Sequence, residues 1–296
     1  MLQKQAQLYI IAGAALWGGI GVFFNFLTAL GFAPMQVVAV RMVFAAAAFV
    51  LWLTVSGRTA ALRIAPRDSI YFIGTGICSL IFFNWCYFNA ITQSSMAVAA
   101  VLLYTSPVWL MALSALLFGE RLTKRKILAA ALTLVGCALV SGIGGAAAGG
   151  LSMRGLLLGL GSGFGYALYS VFGKLALRKY PPETVSAYTF IFACIGCLPF
   201  VIGQQTAASY IAPATIGAGI GIGVLCSLLP FLFYTKGLEQ VEAGRAGILA
   251  TVEPAVAAIL GALLFAEWPT AAELSGMALI FASIVLLGNA PHTHNE

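Results

Sequence analysis

Apolar runs of roughly 20 residues follow one another along this chain, each about the length a helix needs to cross ~30 Å of hydrocarbon. Ten can be marked, at 8–30, 34–56, 70–91, 96–118, 127–143, 155–176, 184–203, 215–234, 246–265 and 271–288. Between them lie short loops, none long enough to fold by itself. Of the 296 residues, 61% are hydrophobic and 8% charged, where soluble domains carry about 25% charged residues. Closed β-barrels are the other structure that satisfies its backbone inside a bilayer. Their strands alternate polar and apolar over ~10 residues, and no such alternation occurs here. The fold class expected is all-α integral membrane. The N-terminal stretch runs into the first apolar run without a small-residue cleavage site, so it reads as a retained helix.

Orientation follows from the basic residues. Lys4; Arg58, Arg63 and Arg67; Arg121, Lys124, Arg125 and Lys126; Lys174, Arg178 and Lys179; and Lys236 and Arg245 all fall on the side that holds both termini. These are 13 of the 15 Lys and Arg residues, leaving Arg41 and Arg154. Positive loops stay in the cytoplasm, so both termini are expected inside, with Ser94, Gln205 and Glu267 outside. The net charge of +6 is thereby a signal of membrane orientation and not of a nucleic-acid partner.

The chain also repeats itself at an offset of 147. Gly74 and Gly76 fall on Gly221 and Gly223, Tyr87 on Tyr234, Pro107 on Pro254, Glu120 on Glu267 and Thr123 on Thr270. From Tyr87 to Thr123 there are 12 identities in 37 ungapped positions. The repeats cover 8–143 and 155–288, joined by a Gly/Ala-rich hinge at 142–152. Each holds five runs, an odd number, so the second enters the membrane from the opposite side. Inverted repeats of this kind are a transporter design, because exchanging the conformations of the halves converts inward-open to outward-open. Fused halves also supply their own pseudo-dimer, so a functional monomer is expected.

Two five-helix units, each with a proline in its fourth run and a Phe-x-Glu near that run's end, resemble paired EamA domains of the drug/metabolite transporter superfamily. The residues are Tyr104-Thr105-Ser106-Pro107 with Phe118-Gly119-Glu120, and Glu253-Pro254 with Phe265-Ala266-Glu267. Ala15-Leu16-Trp17-Gly18 and Arg41 also resemble the first EamA unit. The resemblance implies alternating access through a central cavity and export of amino acids or other small metabolites. It leaves the substrate open.

Glu253 is the one clearly intramembrane carboxylate, about 12 Å into its run at 1.5 Å per residue from Arg245. A carboxylate at that depth costs a few kcal/mol or more unless it is protonated, paired or hydrated. Two readings stand: binding of a coupling proton or a substrate ammonium, or a structural hydrogen bond. Arg41 either contacts a substrate carboxylate, pairs structurally, or snorkels outward. Pro107 and Pro254 each remove a helix hydrogen bond in mid-run, as a hinge or a static kink. Trp17, Tyr104, Tyr166 and Tyr169 lie near mid-depth, below the interfacial belt where such rings usually gather, and can stack on a substrate or attract an ammonium group. Asn84 adds hydrogen-bonding capacity. Together Trp17, Asn84, Tyr104, Tyr166, Tyr169 and Glu253 form the expected substrate site.

Other chemistry is poorly supported. Cys194-x-x-Cys197 lacks a second pair or an intramembrane His, and the six cysteines read as small apolar residues. The Gly-rich stretch around Ser162 lacks the Lys-Ser/Thr of a phosphate loop and reads as helix packing. His292 and His294 sit in a polar tail, so neither metal nor cofactor is expected. An enzyme needs an acid/base pair, a metal cluster or an activated nucleophile, and the runs carry none. The expected partners are a small-molecule substrate and the lipid bilayer. A zwitterion such as an amino acid fits one acid, one Arg and aromatic walls; a lipophilic cation fits the acid and the aromatics.

Overall fold

The computed structural model describes residues 2–141, 152–201, 205–266 and 268–288. Nearly all of the expected hinge, together with Glu267, His292 and His294, lies outside them. Among the described residues the chain is helical, with no strand. Helix α1 runs over Leu2–Trp17 and Ile20–Ala29, and α2 over Pro34–Val55. Helix α3 joins Ser69–Ile73, Gly74–Ile81 and Phe82–Gln93; α4 joins Met96–Leu103 and Ser106–Phe118; α5 is Lys124–Val140. Then come α6 (Met153–Ala176) and α7 (Pro182–Val201), and α8, which joins Pro213–Gly223, Val224–Leu228 and Leu229–Gln240. Helix α9 joins Ala243–Leu249 and Val252–Phe265, and α10 is Ala271–Gly288.

Eight of these, α1–α4 and α6–α9, are long and apolar enough to cross a bilayer, against the ten expected. The difference lies in α5 and α10. They are 17 and 18 residues long, and α5 opens on Lys124, Arg125 and Lys126.

The side chains are distributed for an apolar solvent. Leu51, Leu116, Leu157, Leu198, Leu263 and Val285 are each more than half exposed, while Thr75, Ser79, Ser114, Thr133, Ser162, Ser186 and Thr189 are buried. A water-soluble chain rarely exposes apolar surface on this scale. Inside, two hydroxyl pairs bond across helices: Thr189 Oγ1 of α7 donates to Thr75 Oγ1 of α3 at 2.7 Å, and Thr133 Oγ1 of α5 to Ser283 Oγ of α10 at 2.9 Å.

Local backbone features recur between the halves. A π-helical segment interrupts α3 at Gly74–Ile81 and α8 at Val224–Leu228. Helices α4 and α9 each break near their middle, at Tyr104-Thr105 and at Ala250-Thr251. Both then stop on a left-handed residue, Gly119 (φ 67°) and Ala266 (φ 58°), positions 147 apart. Glycine tolerates that conformation freely and alanine does not, so the second half keeps the same turn at a cost. The paired glycines have a common use as well. A side chain on Gly74 would collide with the ring of Phe172, and one on Gly221 with the ring of Phe23.

On the side of the basic loops, Asp68 holds the two halves together. It accepts from Lys179 Nζ at 2.7 Å and from Tyr180 Oη at 2.8 Å. Nearby, Tyr188 Oη donates to Leu62 O at 2.8 Å and Thr184 Oγ1 to Ala61 O at 2.7 Å. The loop after α2 is thereby pinned to the start of α7.

Helices α5 and α10 meet through glycine. A Cβ on Gly136 would stand 2.8 Å from Gly276 O, and one on Gly276 would stand 2.6 Å from Gly136 O. Backbone cannot yield as a flexible side chain does, so overpacking here should cost about 1–3 kcal/mol. Gly136→Val and Gly276→Val should each lower the melting temperature in detergent, and together by less than the sum. An unchanged melting curve for both would contradict this packing.

Candidate functional site

Three interrupted helices supply the site. Helix α1 breaks after Trp17, and its Gly18 abuts α9, where a Cβ would lie 2.9 Å from Val256 Cβ. Helices α4 and α9 break at Tyr104-Thr105 and Ala250-Thr251. The freed backbone groups are partly re-satisfied by tighter bonds. Gly19 N donates to Leu16 O, Thr105 N to Leu102 O and Thr251 N to Ile248 O. The Thr105 and Thr251 hydroxyls donate to Leu102 O and Ile248 O, each at 2.6 Å. Irregular backbone at membrane depth is tolerated where it lies against protein or lines a cavity.

Pro107 and Pro254 fall in the first turn of the segments that follow the α4 and α9 breaks. A proline there deletes an N–H that would be unpaired anyway. The expected loss of a bond in mid-helix is therefore not what the prolines produce. The interruption comes two to four residues earlier, and each proline lies in the first turn of the helix that restarts. Both are buried.

Glu253 stands in the first turn of the second α9 segment, where free N–H groups and the helix dipole favour a carboxylate. Tyr166 Oη of α6 donates to its Oε2 at 2.9 Å. Glu253 is half-buried. Tyr87 and Tyr104 lie within electrostatic reach of it, and so does Arg41.

Arg41 is buried in α2. Its Nε donates to Ser227 Oγ at 2.9 Å and its Nη2 to Cys226 O at 3.2 Å. Both acceptors belong to the π-helical segment of α8, whose irregular bonding presents a carbonyl and a hydroxyl to the guanidinium. The group also lies 6.0 Å from the Phe231 ring centroid. Arg41 is thus held inside the bundle instead of snorkelling to the surface. The carboxylate whose charge reaches it is Glu253.

The aromatic residues group unevenly. The Trp17 ring lies 6.3 Å from Tyr166, 5.0 Å from Phe231 and 5.1 Å from Tyr234. Its indole N–H is buried without an acceptor, which costs about 1–3 kcal/mol in a protein interior. A ligand acceptor at that atom would remove the cost. Tyr169 sits 5.0 Å from Phe231 and shares a 2.6 Å hydrogen bond with Thr235. It is committed to the α6–α8 contact. Asn84 donates to Leu80 O of its own helix at 2.7 Å.

Tyr166 is thus bonded to Glu253, Trp17 packs against Tyr166, and Tyr104 and Arg41 lie within reach of the Glu253 charge, while Tyr169 and Asn84 bond to Thr235 and Leu80. Sequence reasoning left Tyr234 and Phe231 out of the site. Tyr234 packs against Trp17 with the rings tilted by 44° and shares a 2.7 Å hydrogen bond with Ser170. Its match with Tyr87 across the repeat was the available signal.

Comparison with known proteins agrees with this architecture. Residues 4–142 and 153–289 each match the model of the EamA-like transporter family. An uncharacterized transporter of Archaeoglobus fulgidus is 32% identical over 200 residues, 68% of this chain and 70% of its own. The uncharacterized inner membrane transporter YicL of Salmonella typhimurium is 24% identical over 286 residues, 96% and 95% of the two chains. A "Probable amino-acid metabolite efflux pump" of Salmonella typhimurium is 25% identical over 200 residues, 64% and 66% of the two. One crystal structure superposes with a TM-score of 0.79 at 20% identity, covering 96% of this chain and 97% of its own.

The Tyr166–Glu253 bond joins α6 to α9. Hydrogen bonds to charged groups contribute about 1.5–3 kcal/mol, so Tyr166→Phe should destabilise the protein by roughly that amount at a pH where Glu253 is ionised. Melting in detergent of Tyr166→Phe, Glu253→Gln and the double variant checks it. Strictly additive effects would mean the charge of Glu253 adds nothing to the bond.

Proposed function

The chain belongs to the EamA-like transporter family, and on that premise we propose that it exports small metabolites, amino acids or related compounds, through the Glu253 crevice. Transport proceeds by alternating access between two inverted five-helix repeats, with α5 and α10 completing ten spans. The transporter works as a monomer in the cell membrane with both termini in the cytoplasm.

The observation that carries this reading is Glu253 at a helix break, bonded to Tyr166 and within the field of Arg41. An acid and a guanidinium near one crevice suit the ammonium and carboxylate of a zwitterion. The unpartnered Trp17 N–H offers a further donor. Efflux of a lipophilic cation is the second reading. It draws on Glu253 and the ring faces of Trp17 and Tyr166, and it gives Arg41 no part beyond its bonds to Ser227 and Cys226. The name of the Salmonella relative favours the first.

Screening metabolites against purified protein in proteoliposomes identifies the substrate, and Glu253→Gln then identifies the role of the acid. Gln keeps the shape and the bond to Tyr166 while removing ionisation. If Glu253 holds an ammonium, affinity should fall by about 1.5–3 kcal/mol, roughly ten- to a hundredfold. If it carries a coupling proton, accumulation driven by a pH gradient should vanish while exchange persists. Wild-type transport by Glu253→Gln at every pH would remove the residue from the mechanism.

A further inference from the structure

We infer that Glu120 latches a gate between α4 and α9 on the side of the basic loops, holding the crevice shut at that end. The inference rests on the alternating-access reading above and names the contact that must break when that end opens.

Glu120 follows α4 immediately after the left-handed turn at Gly119. Its Oε1 accepts from Ala243 N at 2.7 Å and its Oε2 from Gly244 N at 3.1 Å. These are unpaired donors at the start of α9, as every helix N-terminus has. A carboxylate from one half of the molecule thus caps a broken helix of the other, 123 residues away in sequence. Lys126 of α5 reinforces it. Its Nζ lies 3.9 Å from Glu120 Oε2 and 2.9 Å from Glu242 Oε2, and donates to Arg121 O at 3.1 Å. Lys174 of α6 donates to Leu238 O and Val241 O, each at 2.7 Å, and tethers the loop that leads into α9.

Beneath this cluster the two helices are in close contact. A Cβ on Gly244 would lie 3.2 Å from Met111 Cγ, and one on Gly247 would lie 2.8 Å from Leu110 Cδ2. The segment Ser106–Phe118 therefore packs along Ala243–Leu249. The segments that correspond to them across the repeat, Val252–Phe265 and Met96–Leu103, make no comparable contact with each other. One end of the α4–α9 seam is shut and its counterpart is not. Alternating access requires that difference of one conformation, with the other conformation reversing it.

The latch is suited to release. Burial pushes the Glu120 carboxyl above its ordinary pKa, against the opposing pull of the Gly244 and Ala243 N–H groups and Lys126. The ionised group is thus held against a desolvation cost that ends when it swings into water.

The test places a disulfide across the seam. Met111→Cys and Gly244→Cys, in a chain whose six cysteines are replaced, bring two thiols together, since the Gly244 Cβ position is 3.5 Å from Met111 Cα. Oxidation should form the bridge and reduce transport by about tenfold or more, and reduction should restore it. Adding Glu120→Gln should slow bridge formation about tenfold, the loss expected when a charge-assisted bond worth about 1.4 kcal/mol is removed. Lys126→Met should slow it less, and serves as the deciding variant if Glu120→Gln fails to fold. A bridged protein that transports at the unbridged rate overturns the inference, as does a bridge that never forms. Bridge formation at an unchanged rate in the Glu120 and Lys126 variants also overturns it. Bridging rates are read without any substrate. If the unbridged protein moves no metabolite, the transport reading fails while the comparison of rates still decides the latch.

Discussion

Inside hydrocarbon there is no water to satisfy a polar group, so each backbone N–H, each carbonyl and each charge needs a partner within the protein. Most of this structure follows from that requirement. The hydroxyls of Thr75, Thr133, Thr189 and Ser283 bond across helices instead of outward. The breaks in α1, α4 and α9 are tightened by short-range bonds from neighbouring amides and threonine hydroxyls. Arg41, which is buried, and Glu253, which is half-buried, both occupy places where the backbone is irregular. Arg41 takes a carbonyl and a hydroxyl from a π-helical segment, and Glu253 takes the first turn after a break. Segments of that kind recur at functional sites.

The helices were legible because their signal is local. Apolar runs of spanning length locate them, and the 147-residue offset predicts features that recur in the backbone. Gly74 and Gly221 each receive a phenylalanine ring, and Gly119 and Ala266 close α4 and α9 with the same turn. The positions of the breaks were not legible. Sequence reasoning put them at Pro107 and Pro254, the residues with a known local effect, but the helices had already been interrupted at Tyr104-Thr105 and Ala250-Thr251. Packing decides those positions, and packing is not local.

The same limit explains the site. Nothing near Arg41 in sequence points to Ser227, 186 residues away, and nothing near Glu120 points to Ala243. Tyr169 and Asn84 were expected at the site because they are polar and deep, and the fold adds bonds to Thr235 and Leu80 that the sequence does not show. Depth and polarity select candidates, and only the fold shows which partners each candidate has. Tyr234 shows the reverse case. It was visible as a repeat match and gained meaning only when its ring was found against Trp17.

The central claim is that Glu253 faces a crevice that opens to one side of the membrane at a time. Glu253→Cys in an otherwise cysteine-free chain tests it directly, using a membrane-impermeant thiol reagent applied to vesicles of each orientation. The account predicts labelling from both sides. Trapping the protein in one conformation should abolish labelling from one side and leave the other. Labelling from neither side, or from a single side in every condition, would contradict it.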